Sequence, residues 1–98
     1  MIEVQLQIPD SVNSDVLVRM IEHICIAHGL TCTLKGTLAG YRGCVHWHFK
    51  KGSQKGILEI TWWETEVRLW IKVAGNRGGD WIEDSIPRLK EQIENSLY

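Results

Sequence analysis

The chain has 98 residues, is 44% hydrophobic and 23% charged, and carries a formal net charge of −1. These values exclude a disordered polar segment and a strongly basic nucleic-acid binder, and they fit one globular domain over residues 1–98. No stretch approaches the roughly 20 apolar residues of a membrane span, the start MIEVQLQIPD lacks a signal-peptide pattern, and Cys25, Cys32 and Cys44 form no CxxC, so a cytoplasmic protein with reduced thiols is expected.

Residues 2–8 alternate, with Ile2, Val4, Leu6 and Ile8 on one side and Glu3, Gln5 and Gln7 on the other, which predicts a half-buried strand ended by Pro9. Ser11, Asn13 and Ser14 offer N-caps to a helix. Its apolar side is Val16, Leu17, Met20, Ile21, Ile24, Ala27 and His28, and Gly29 suits the position just past its end. Four strands are predicted next, over 31–39, 44–50, 57–63 and 66–74, joined by Gly-bearing loops and by a tight Glu64-Thr65 turn. Gly75-Asn76-Arg77-Gly78-Gly79 closes the series, with Asp80 as N-cap and Glu83 completing a capping box. Ile82, Ile86, Leu89, Ile93 and Leu97 form the stripe of a second helix, which is expected to kink at Pro87 or to start near Ser85. The fold class is therefore α+β: a two-layer sandwich in the order β-α-β-β-β-β-α, with a mostly antiparallel sheet and two helices on one face.

Strand parity sorts the side chains. Leu34, Leu38, Val45, Trp47, Phe49, Leu58, Ile60, Trp62, Val67, Leu69, Ile71 and Val73 are expected to face the helices. Three rows are expected on the outer face: Lys35, His48, Glu59 and Trp70; Thr37, His46, Thr61 and Arg68; Ala39, Cys44, Trp63 and Glu66. Trp63 and Trp70 are larger and more apolar than a solvated sheet face requires. They either brace a hairpin, with Arg68 stacked over Trp63, or mark a binding surface.

The outer face also carries the residues with chemistry. Cys44, His46 and His48 alternate on one strand, and Glu59 stands opposite His48, so a metal-binding or enzymatic site at His46, His48 and Glu59 is one reading. Charge is uneven: residues 35–77 sum to +5 and the two flanking segments to −3 each. With the exposed tryptophans this permits single-stranded nucleic acid or a small ligand on the same face, although Glu59 and Glu66 there oppose an anionic partner, and no RNA-binding segment of the aromatic-glycine type is present. Gly75 to Gly79 matches no phosphate-loop pattern, and no hydrolase or zinc-protease motif occurs. The leading expectation is a non-enzymatic module without a cofactor. It would bind a protein partner, most simply a second copy as a homodimer, through Trp63, Trp70, Arg68, His46 and His48.

Overall fold

The computed structural model of the chain describes residues 2–75 and 78–98; Asn76 and Arg77, from the predicted Gly75–Gly79 loop, lie outside the described residues. The N-terminal alternation gives β1 (Ile2–Leu6), and Asn13 caps α1 (Ser14–Ala27) by accepting the Val16 N–H at 3.0 Å. At the other end Gly29 takes φ +79°, the Gly29 N–H donates to Ile26 O, and the Leu30 N–H donates to Cys25 O. This paired termination satisfies two helix-end carbonyls and turns the chain into β2 (Thr31–Gly36). Then follow β3 (Val45–Lys50), β4 (Leu58–Trp63), a 3₁₀ turn at Glu64–Glu66, β5 (Arg68–Val73) and α2 (Asp80–Leu97). The order and the α+β class are as expected.

The sheet runs β1-β5-β4-β3-β2, and all four pairings are antiparallel. Strand β1 closes the β5 edge, with Ile2, Val4 and Leu6 opposite Val73, Ile71 and Leu69. Both helices pack on one face. Leu17, Ile21 and Ile24 of α1 and Ile82, Ile86, Leu89 and Ile93 of α2 share one core with Trp47, Phe49, Leu58, Ile60, Trp62, Leu69 and Ile71. Two core tryptophans keep a polar tie to α1: Trp47 Nε1–H donates to Glu22 at 2.9 Å, and Trp62 Nε1–H donates to Ser14 Oγ at 2.9 Å.

Four details depart from the sequence-based expectation. A bulge between Cys32 and Leu34 shifts β2 by one residue, so Leu34 pairs with His48 and Lys35 with Trp47. Leu34 therefore joins the outer face, and Lys35 turns to the helix side, where its Nζ lies 2.7 Å from Glu22. The Glu64-Thr65 turn is longer than predicted: the 3₁₀ turn ends on Val67 in the left-handed region (φ 49°), and β5 starts at Arg68. Trp63 consequently pairs with Arg68, Thr61 with Trp70 and Glu59 with Lys72, a shift of two that keeps every face but displaces the rows.

The remaining two concern α2. Its N-cap is Gly79 rather than Asp80, without a side-chain cap bond. A Cβ on Gly79 would meet Lys55 O at 2.1 Å, and Trp81 Nε1–H donates to the same carbonyl at 2.8 Å, so backbone contact with the β3–β4 loop fixes where the helix begins. Of the two expectations for Pro87, the start near Ser85 is excluded, because the helix runs from Asp80 through Pro87. Pro87 and Glu83 are both exposed, so the carbonyl that Pro87 leaves without a helical donor belongs to the solvent side of the helix.

Candidate metal centre

The period of two along β3 puts His46 and His48 on the outer face, and the register with β4 puts Thr61 opposite His46 and Glu59 opposite His48. The hairpin loop that sets this register turns on two glycines at positive φ, Gly52 and Gly56. The side chains converge rather than lying in parallel. His46 Nε2 is 3.1 Å from His48 Nε2 and 3.3 Å from Glu59 Oε1, and His48 Nε2 is 3.7 Å from that oxygen. Among the described residues these three form the one group of His, Cys, Asp and Glu side chains close enough to share a metal ion. The ligands of a tetrahedral ion with bonds of about 2.0–2.1 Å are separated by about 3.3–3.4 Å. A triangle with these sides admits one such ion.

The surroundings hold His46 most firmly. His46 is 4% exposed, and its Nδ1 lies 2.7 Å from Oγ1 of Thr61, which is 1% exposed. Assigning the proton to Nδ1, as donor to Thr61, leaves Nε2 as a lone pair aimed at His48 and Glu59. Burial pulls the His46 pKa below the usual histidine value; the Glu59 charge acts in the opposite sense, and His48 and Lys72 add to the lowering. Neutral imidazole is the form that ligates metal.

The first member of the C-x-H-x-H run stays outside the triad. Cys44 is buried; its Sγ accepts the Leu38 N–H at 3.3 Å, and its carbonyl accepts the Thr37 hydroxyl at 3.1 Å. These contacts fold the 37–44 segment back over the outer face and bring in a residue that strand parity did not reveal. Tyr41 packs edge-on against Trp63, with ring centres 5.0 Å apart, and tilts over Trp70 at 5.5 Å. Trp70 is thereby buried to 5% exposure, and the Arg68 guanidinium stacks 5.0 Å from the Trp70 ring instead of over Trp63. Trp63 is half-buried, and its Nε1–H donates to Arg42 O at 3.2 Å. A tyrosine between two turn glycines was the available signal: Gly40 and Gly43, both at positive φ, let the loop reverse.

The five residues expected to bind a partner thus fall into two adjoining groups on one face. His46 and His48 belong to the triad, whereas Trp63, Trp70 and Arg68 belong to the aromatic patch under Tyr41. His23 is exposed on α1, and His28 caps its end with Nε2 2.7 Å from Gln92 Oε1, so both lie away from the triad. Among the described residues no helix is long and apolar enough to cross a membrane. No protein-family model matches the chain, and comparison with curated proteins and with solved structures gives no match either.

Proposed function

We propose that the protein binds a divalent transition-metal ion through His46 Nε2, His48 Nε2 and Glu59 Oε1. One observation carries the reading: three ligand-type atoms on two adjacent strands lie 3.1–3.7 Å apart, the spacing one ion imposes on its ligands. Two imidazoles and a carboxylate suit zinc with one position left open, and they equally suit ferrous iron in the two-histidine, one-carboxylate arrangement. Thr61 supplies the outer support that metal-ligating histidines ordinarily have, by fixing the tautomer and the ring plane of His46. The side chains of all three ligand residues are at most 18% exposed, so the ligand atoms are held mostly within the protein.

Calorimetric titration of untagged, metal-free protein with Zn²⁺ tests this. The expected result is one ion per chain, with His46→Ala and His48→Ala each weakening binding by about 100-fold or more. No uptake at high micromolar Zn²⁺, or unchanged affinity in both variants, would sink the reading. Association with a second copy through Trp63, Trp70 and Arg68 draws less support. Trp70, the ring meant to anchor a partner, is already covered by Tyr41 and Arg68 of its own chain.

A further inference from the structure

His46, His48 and Glu59 all border one open groove of about 660 Å³, which is also lined by the chain from Leu34 to Leu38, beside His48 in the sheet. Three protein ligands leave a coordination position unfilled, and the groove is where an outside ligand would reach it. The β2 bulge shaped this wall. It moved the Leu34 side chain onto the outer face, opposite His48, and sent the Lys35 amine to Glu22 on the helix side. Leu38 and Ala74 also line the groove, Gly36 adds no side chain, and the Thr37 hydroxyl is already committed to Cys44 O. The wall is mixed, with Lys35 and Thr37 in its lining, and its apolar side chains are those of Leu34, Leu38 and Ala74. A divalent ion held by one carboxylate would keep a net positive charge, and Lys72 stands opposite Glu59 in the strand register on the same face.

From this arrangement, and resting on the metal-binding reading above, we infer that the open position takes the carboxylate of a small, apolar-bodied acid. The anionic head would replace water on the ion, and the hydrocarbon body would lie along Leu34 and Leu38. The size of the groove is in the range of small-molecule sites.

Cobalt tests the two readings separately. Co²⁺ reports its own coordination through visible absorption, so metal binding is recorded before any acid is added. Acetate, butanoate and hexanoate are then titrated into the Co²⁺-loaded protein, with hexylamine as the cationic control. The expected result is a spectral change with each acid, an affinity that rises roughly fourfold per added methylene, and none with hexylamine. Leu34→Asp should erase the gain from acetate to hexanoate, and Leu34→Met should keep most of it. Cobalt binding without an acid-dependent change, or with equal affinity for acetate and hexanoate, overturns the ligand class and leaves the metal reading standing. A hexanoate gain that persists in Leu34→Asp overturns the assignment of the groove. Failure to bind Co²⁺ overturns both.

Discussion

Thr61 Oγ1 lies 2.7 Å from Nδ1 of His46, and both side chains are more than nine-tenths buried. The pair links the sheet interior to the proposed metal site, because the contact at Nδ1 leaves Nε2 facing His48 and Glu59. Thr61→Val keeps the volume and removes the acceptor. We expect Zn²⁺ affinity to fall by about 10-fold or more and the fold to lose about 1–3 kcal/mol for the orphaned Nδ1–H. Titration calorimetry and denaturant unfolding of one variant read both effects. Full metal affinity in Thr61→Val would show that the hydroxyl does not orient the ring.

Trp62 and Trp63 are neighbours on opposite faces and should answer truncation differently. Trp62 is 1% exposed against α1, so Trp62→Ala should cost about 3–5 kcal/mol. Trp63 is half-buried at the β4 end, and Trp63→Ala should cost less, about 1–2 kcal/mol. Trp70→Ala should resemble Trp62, at about 3 kcal/mol or more, because Tyr41 buries the ring. Urea melts of the three variants give the order, and a harmless Trp70→Ala would contradict the role of Tyr41 as a cover.

How much of this was legible beforehand depends on what set each element. The helix-facing stripes of β3, β4 and β5 follow from the period of two, and they survive even a two-residue error in register, because such a shift preserves parity. The β2 assignment failed because a bulge inserts a single residue, which inverts every later side chain, and nothing in Thr-Cys-Thr-Leu-Lys announces it. The longer β4–β5 turn depends on Val67 adopting a left-handed conformation that a β-branched residue rarely takes. The triad was readable because its residues sit on two strands whose pairing was assigned correctly. Its convergence was not readable, since side-chain rotamers carry no sequence signal.

The three cysteines should separate by reactivity. Cys25 is buried, and loss of hydration, with smaller contributions from Cys32 and Glu22, pushes its thiol up to about 12. Cys44 is 2% exposed, while Cys32 is exposed on the edge strand. Native protein at pH 8 should therefore react quickly with a disulfide reagent at Cys32 alone, and the other two should react only on unfolding. A raised thiol pKa means that its stability contribution is complete below the unfolded value of about 8.5 and is lost as pH rises toward the folded one. Rapid modification of Cys25 in folded protein would refute this.

Glu22 should leave its mark at the acid end. Desolvation would raise its pKa, but the hydrogen bonds from Lys35 and Trp47, together with the Lys35 charge, outweigh that and hold it below the usual carboxylate value. A lowered carboxylate stabilises the fold above its unfolded pKa of about 4.3, and that contribution disappears as pH falls through the folded value. Glu22→Gln should lower the melting temperature at pH 7, and the difference from the parent should shrink below about pH 4. The carboxylate is partly exposed, so the effect should stay near or below about 1 kcal/mol. A pH-independent difference would mean that Glu22 acts through packing alone.

The placement of β1 at the sheet edge sets an order of assembly. Ile2 pairs with Val73 across most of the chain, whereas His46, His48, Glu59 and Thr61 all belong to a single hairpin. Closing a short loop loses less chain entropy than closing a long one, so the hairpin is expected to form before β1 docks. The ligand triad then exists in a chain whose sheet is still open at one side, and an ion captured there would bias the later steps toward the native pairing. Pulsed hydrogen exchange during refolding would show this as early protection of β3 and β4 amides, accelerated by Zn²⁺, with β1 protected last.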